Sequence, residues 1–457
     1  MLRFFRINDP YRLVFVFLIL VLIRVGQGFF IDDISYFELK WLLLGEWLAD
    51  GYRLYGEAYD YTGPLAALVY KYLDLIFGRS QAVHHVVSSL VIIVQAGIFN
   101  QLLLKNKAYD ENSYLPAFLY MILVVSVPDF MALSPQLMSL TFVLQAFRNV
   151  LRRIDNQVTD ELFLNTGLFT GLATMIYLPA LVFFLVFLVS LILFSTAVSR
   201  RLLLYLFGFS LVFSMCVLYF YWVGSLESFW QSFVTQAILM SVDSPLDTTL
   251  LFNLFGPLLF IFTISAFRTW SRVRLTSFQQ KVQQVIWLMF LGSVCIVFLS
   301  NEKVGHEALF FVPVVAYFWT HFFIVMRRKF FRFVMPGLLI FGVVGYSFYS
   351  YQNYVEPLLA SSDTVVSPGT MILGEQLEAY KEIPMSTPCF NQALSEHAFD
   401  QLGYYEFAGR FYQLLIKTNP SVIVDELGVM ETMKYRFPLL ESNYQPVGEG
   451  TFQQISN

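Results

Sequence analysis

The chain is short of charge. Asp, Glu, Lys and Arg make up 14% of its 457 residues, against about 25% in a typical soluble domain. That deficit points to a bilayer as the solvent. Cysteine is scarcer still. Cys216, Cys295 and Cys389 are the only three, they lie far apart, and no CxxC or Cys/His ligand spacing occurs. Neither a disulfide framework nor a cysteine-based zinc site is readable. There is no basic stripe, and the formal net charge is −4, so nothing points to nucleic acid as a partner. A small-residue cleavage site is missing after the first apolar run, which therefore reads as a retained span rather than a removed signal peptide. No soluble-repeat period is found.

What is abundant is apolar and aromatic: 57% hydrophobic residues, 18% aromatic, and a mean hydropathy of +0.61. Such a composition suits lipid-facing surfaces and interfacial belts. A spanning helix needs about 20 mostly apolar residues. Runs of that kind fall at 12–30, 82–104, 113–128, 136–150, 163–177, 179–197, 202–223, 249–267, 284–300, 307–326 and 334–351. The fold class predicted is a polytopic α-helical membrane protein of about eleven transmembrane helices. Amphipathic outer-loop helices and a small C-terminal α/β domain complete it.

Basic residues favour the cytoplasmic side. With the N-terminus inside, the inside segments carry Arg3, Arg6 and Arg12, then Lys105 and Lys107, then Arg148, Arg152 and Arg153. Arg200 and Arg201 follow, then Arg268, Arg272, Arg274 and Lys281, then Arg327, Arg328, Lys329 and Arg332. The outside loops between spans hold only Lys40, Arg53, Lys71, Arg79 and Lys303. This alternation predicts a multi-pass protein of a bacterial inner membrane, with the N-terminus cytoplasmic and the tail outside. A membrane domain over 1–351 then contains a first outer loop at 31–78, and residues 352–457 form the outward domain. In that tail TMILG (from Thr370), SVIVDEL (from Ser421) and TFQQI (from Thr451) read as short strands. The segment between the first two has helical spacing and stops at Asn419-Pro420. The order implies a partly parallel sheet.

The outer loops hold the candidate chemistry. Asp32 and Asp33 open the first loop. A carboxylate at the water–lipid boundary can act as a general base or hold a metal ion, and it can equally cap the helix that starts near Ile34. Glu57, Tyr59 and Asp60 precede the turn Thr62-Gly63-Pro64, where Pro64 can begin a helix. Their plain reading is a solvated turn. Asp129 sits in a short second loop, VPDFMALSPQ. Before the tenth run, SNEKVGHEA gathers Lys303, His306 and Glu307, which could meet a phosphate or simply cap a helix. Between the seventh and eighth runs, FWxxFVxxAIL spacing suggests an amphipathic helix in the membrane plane. Arg24 lies within the first run, where an ionisable group faces protein or a water-filled cavity, or snorkels.

The first loop, with Asp32-Asp33, Tyr36, Gly45-Glu46-Trp47, Tyr61-Thr62-Gly63-Pro64-Leu65 and Phe77-Gly78, resembles the GT-C superfamily of polytopic glycosyltransferases. The branch it is most similar to contains the aminoarabinose transferase of lipid A and the protein O-mannosyltransferases. Two later segments, Gly167–Leu185 and His306–Phe318, look like the family's mid-chain and late elements. Gly63 stands where the family has the first of two prolines. Tyr177-Leu178 replaces a Lys-Gly, and His306-Glu307 replaces an Arg-Tyr. The resemblance implies transfer of a sugar from a polyprenyl-phosphate carrier to a lipid, glycan or protein acceptor at the outer face of the membrane. It implies catalytic roles for Asp32, Asp33 and Asp129. Substrate contacts are expected from Tyr36, Glu57, Tyr59, Asp60, Lys303, His306 and Glu307. No cofactor is certain; in some branches a divalent metal ion is bound, here by Asp32 and Asp33. Two other classes stay open: a non-catalytic scaffold of an envelope assembly, and a transporter of lipid-linked sugar, although neither inverted repeats nor broken spans are visible.

Overall fold

A computed structural model describes residues 2–5, 9–28, 34–109, 111–154, 159–194, 199–236, 256, 259–260, 262–269, 275–300, 305–325, 341–343, 345–347, 349, 366–374, 376–448 and 450–455. The chain divides into two compact units. The first takes Met1–Asp32, Ala82–Val217 and Asp243–Leu358; the second takes Asp33–Gln81, Leu218–Val242 and Leu359–Asn457.

The first unit is helical. Among the described residues four helical stretches are long and apolar enough to cross a membrane: Gln81–Lys105, Ser199–Val223, Ser277–Leu299 and Gly305–Val325. The other expected spans differ. Arg12–Gly28 and Asp160–Ile176 are helices of 17 residues, and Leu115–Val125 has 11. The run at 179–197 becomes a 3-10 turn, Leu178–Ala180, and a helix, Leu181–Phe194. Pro135–Ile154 is longer than expected but carries Arg148, Arg152 and Arg153. The run at 249–267 is described only in part, and most of 334–351 lies outside the described residues.

Burial explains the sorting. Every residue of Leu115–Val125 is buried, so this short helix is core. Two of the long helices keep apolar faces outside, whereas Gly305–Val325 is mostly buried. Val86, Leu90 and Val94 repeat every four residues on Gln81–Lys105 and are exposed, as are Leu203, Phe207 and Met215 on Ser199–Val223. Apolar stripes of this extent, left outside a finished core, are stable only where lipid is the solvent.

In the first unit, glycine lets two helices approach closely. On Asp160–Ile176, Gly167 faces Gly208 of Ser199–Val223, and Gly171, four residues on, meets Phe209 and Val212. A Cβ on Gly167 would collide with the Tyr205 carbonyl oxygen, and one on Gly208 with that of Leu164. Backbones approaching this closely need small residues. Gly167→Val is therefore expected to lower the thermal midpoint in detergent, by about 1–3 kcal/mol of overpacking. Gly26→Ala, where nothing lies within 4 Å, should leave the midpoint in place.

In the second unit the first loop forms two helices, Tyr36–Ala49 and Pro64–Phe77, with Pro64 in the first turn. Gly45 lets them meet: a Cβ there would lie 2.9 Å from the Tyr70 carbonyl oxygen. Trp41 stacks on Tyr70 with centroids 6.1 Å apart. The turn-rich middle is held internally. Trp47 Nε1 donates to the Glu57 carbonyl at 2.9 Å, and Tyr55 Oη donates to that of Thr62 at 2.6 Å. Tyr55 itself adopts φ 64°, a left-handed conformation unfavourable for a bulky side chain. Its ring packs on Phe220, Phe229 and Phe233.

Phe229 and Phe233 belong to the expected amphipathic segment. It begins as a short α-turn, Leu226–Phe229, and continues as a π-helix, Trp230–Gln236, rather than as α-helix throughout. Both phenylalanines are buried, and Trp230 is exposed.

The tail is a four-stranded sheet of order β1-β2-β4-β3, with β1 Thr370–Leu373, β2 Val422–Asp425, β3 Tyr444–Gly448 and β4 Thr451–Gln454. β1 and β2 are parallel, and the other pairings are antiparallel. β3 has no clear sequence signal, because it is an edge strand with one buried residue, Tyr444, and a proline at 446. The expected helix between β1 and β2 is broken into Gln392–Asp400, a 3-10 turn and Tyr405–Thr418. It stops where the sequence predicts, at a left-handed Asn419 before Pro420.

Candidate active site

In the helical unit, two irregular turns place acids in the interior. Pro128–Met131 is a 3-10 turn that carries Asp129, and Gly305–Phe311 is another that carries His306 and Glu307. The two turns pack against each other and beside Pro135–Ile154. Asp129, His306 and Glu307 are all buried, at 6%, 2% and 3% exposure. Glu307 Oε1 accepts from Ser300 Oγ at 2.7 Å and from Gln136 Nε2 at 3.5 Å, the long limit of a hydrogen bond. Ser293 Oγ donates to the Phe310 carbonyl at 2.9 Å and so anchors the second turn to helix Ser277–Leu299. Arg24 turns inward, with Nη1 donating to the Met131 carbonyl at 2.8 Å, on the turn that holds Asp129. Tyr177 ends helix Asp160–Ile176 and stacks on Phe310, centroids 6.0 Å apart. Arg24, Gln136, Asp129, His306 and Glu307 thus lie on neighbouring turns of one unit. Gln136 and Ser300 carried no sequence signal, since a lone amide or hydroxyl beside an apolar run is indistinguishable from core.

In the second unit the acids behave differently. Asp60 has no exposed surface, and Lys40 Nζ stands 3.1 Å from its Oδ1, itself only 3% exposed. The same ammonium lies over the Tyr61 ring, 4.8 Å from its centroid. Glu57 Oε2 accepts from the Arg53 backbone N–H at 2.8 Å and from Lys417 Nζ at 2.9 Å, which ties the loop to the helix of the tail. The Tyr59 backbone N–H donates to the Pro388 carbonyl at 2.8 Å. Burial pushes the Tyr59 hydroxyl well above its ordinary value, with Cys389 adding to the effect. Burial likewise raises the Cys389 thiol to about 11, so it is no thiolate at neutral pH. Tyr36 is half-buried in the first turn of its helix, edge-on to Phe37.

Arg79 makes several contacts in this unit. Its guanidinium donates to Glu46 Oε2 at 3.1 Å and to the carbonyls of Tyr380, Lys381 and Ile383 at 2.8–3.0 Å. Burial raises the Glu46 carboxyl, opposed by Arg79, and burial also raises that of Asp74. A raised folded-state pKa means that the folded chain keeps a proton the unfolded chain has released. Stability from these groups is fully present below the unfolded value and is lost as pH rises through the folded one. Glu46→Gln should therefore flatten the fall of thermal midpoint with pH just above 4.5, the ordinary Glu value. An unchanged slope in a pH series of melting curves would count against it.

Asp32, Asp33 and Lys303 lie outside the described residues. Among the described residues no group of three or more His, Cys, Asp or Glu side chains is arranged to hold a metal ion. Asp129, His306 and Glu307 belong to the first unit, and Tyr36, Glu57, Tyr59 and Asp60 to the second.

No family model matches the sequence, and no curated protein matches it. Among solved structures, the chain is similar to the oligosaccharyltransferase AglB of Archaeoglobus fulgidus in complex with an inhibitory peptide and a dolichol-phosphate. The TM-score is 0.49 at 12% identity, covering 98% of this chain and 75% of that one. It is also similar to the Archaeoglobus fulgidus oligosaccharyltransferase complexed with Zn and sulfate, at TM-score 0.48 and 14% identity, covering 97% and 72%. The apo form of that enzyme gives TM-score 0.48 and 12% identity, covering 98% and 75%.

Proposed function

We propose that this chain is a membrane glycosyltransferase that moves a sugar from a polyprenyl-phosphate donor to an acceptor at the outer face of a bacterial inner membrane. The observation that supports it most is the buried set of Asp129, Gln136, His306 and Glu307 on neighbouring turns among apolar helices. Ionisable groups in such surroundings are costly and mark functional sites by default. The first-loop resemblance supplies the reaction class.

In this reading a hydroxyl or amine of the acceptor attacks the anomeric carbon. The bond from that carbon to the phosphate oxygen breaks, its electron pair leaves with the polyprenyl phosphate, and the acceptor proton passes to a carboxylate. Asp32 or Asp33 takes that proton, with Asp129 as the second acid. Lys303 and His306 offset charge on the leaving phosphate, and Glu307 orients the groups around it. Asp32 and Asp33 would also hold a divalent ion, which when bound would neutralise the same phosphate. Tyr36, Glu57 and Tyr59 shape the loop face that meets substrate, whereas Asp60 contributes by bracing the turn through Lys40. The N-terminus is cytoplasmic, and the C-terminal domain lies outside with the acceptor, which is a lipid, a glycan or a protein.

The test is Asp32→Ala and Asp33→Ala, singly and together, with glycan product and membrane protein level both measured. Loss of product at a normal protein level is expected. Unchanged product from the double variant would sink the transferase and favour a scaffold.

A further inference from the structure

A cleft in the second unit, lined in part by Tyr59, carries no step of the proposed chemistry. It lies between the first-loop turn at Tyr55–Tyr59, the π-helix Trp230–Gln236 and the two helices of the tail on either side of Gln401. Its volume is about 50 Å³, room for about four water-sized oxygens. That is too small for a whole sugar ring and suits the hydroxyl groups along one edge of one.

The lining selects against charge. Its one permanent cation, Arg410, is already neutralised: the guanidinium pairs with Glu406 and lies 3.8 Å from Glu227, and it donates to Ser228 Oγ at 3.4 Å. The remaining polar groups are amides, hydroxyls and an imidazole. Gln401 Nε2 and His397 Nε2 are 3.1 Å apart. Gln231 and Ser232 make no side-chain hydrogen bond among the described residues, though both line the cleft. Tyr55, Tyr59 and Phe407 supply the apolar part. Convergent neutral donors and acceptors beside aromatic rings suit a neutral polyol and offer a phosphate no spare cation.

The backbone here is itself unusual. A π-helix is rare and recurs at functional sites, and this one runs for seven residues. Its i→i+5 spacing is visible in the side chains, with Thr235 Oγ1 donating to the Trp230 carbonyl at 3.2 Å. The segment presents Gln231 and Ser232 to the cleft while Phe229 and Phe233 bury themselves. Helix distortion with polar residues on the open side is a second observation, independent of the cleft's composition.

We infer that this cleft binds the hydroxyl edge of a neutral, non-phosphorylated sugar unit. The inference stands without the transferase reading, because it concerns binding alone. It is tested on the full chain in a detergent that carries no sugar headgroup, by saturation-transfer NMR. The probes are methyl α-mannoside, methyl β-galactoside and N-acetylglucosamine, with inorganic phosphate as competitor. At least one glycoside is expected to bind saturably in the millimolar range. Gln231→Leu and Gln401→Leu should each weaken it about tenfold, the worth of one lost hydrogen bond, with thermal midpoints unchanged. Ser232→Ala, a smaller change at a half-buried position of the π-helix, serves if either leucine variant misfolds. No saturable glycoside binding, binding indifferent to these substitutions, or displacement by phosphate would each overturn the inference. Asp32→Ala/Asp33→Ala should bind the glycoside normally, so loss of transfer and loss of this cleft are separable.

Discussion

Glu307→Gln is expected to cut sugar transfer by about 10²–10³-fold, the usual effect of removing one preorganised electrostatic group from a site. The protein should fold as well as before or better. The reason lies in the surroundings of the carboxylate. Glu307 is 3% exposed in a turn between apolar helices, with Ser300 Oγ donating to it at 2.7 Å. Burying a charge in such a place is costly, and replacing it with a neutral isostere is often neutral or stabilising. Gln keeps the shape and can still accept from Ser300, so a purely structural Glu307 predicts a thermal midpoint that holds or rises with activity intact. A functional Glu307 predicts the same midpoint with activity gone. Transfer assayed in membranes, beside melting of the purified variant, separates the two. Retained transfer would remove Glu307 from the site.

Lys40→Ala carries the largest expected loss of stability. The Lys40 ammonium and the Asp60 carboxylate are 3.1 Å apart, and both are buried. The same carboxylate, after burial itself, helps to raise the Tyr70 hydroxyl on the neighbouring helix. Removing the cation leaves Asp60 charged and enclosed, which costs about 3–5 kcal/mol. That is a large share of a typical stability of about 5–15 kcal/mol. The first-loop turn should open, seen as a lowered midpoint and as proteolysis between residues 50 and 63. The double change Lys40→Met/Asp60→Leu removes both charges and should recover most of the loss. A midpoint unmoved by Lys40→Ala would mean that water reaches Asp60 and that the pair does not brace the turn.

The two predictions differ because the two sets of acids are held differently. Asp60 is matched by one buried cation of its own unit. Glu307 accepts from a hydroxyl and an amide, which fix the direction of its carboxylate. Sequence spacing treats these acids alike, since each is an acid in a loop between apolar runs.

Much of the organisation was legible from residue order. Low charge, apolar runs and turn residues were enough to place the helices Gln81–Lys105, Ser199–Val223 and Ser277–Leu299, the strands β1, β2 and β4, and the helix stop at Asn419. These features are local: hydrophobic length, short apolar runs and a left-handed cap are set by near neighbours in the chain. Tertiary structure decided the rest. It made Leu115–Val125 a short core helix and gave the outer segment a π-helix in place of an α-helix. It joined the first loop to the tail through Arg79 and Lys417, and it paired Asp60 with Lys40. Those outcomes depend on which distant residues share one dry volume. An acid records its charge in the sequence, but whether that charge braces a turn or stands ready for chemistry is set by the partner that packing brings to it.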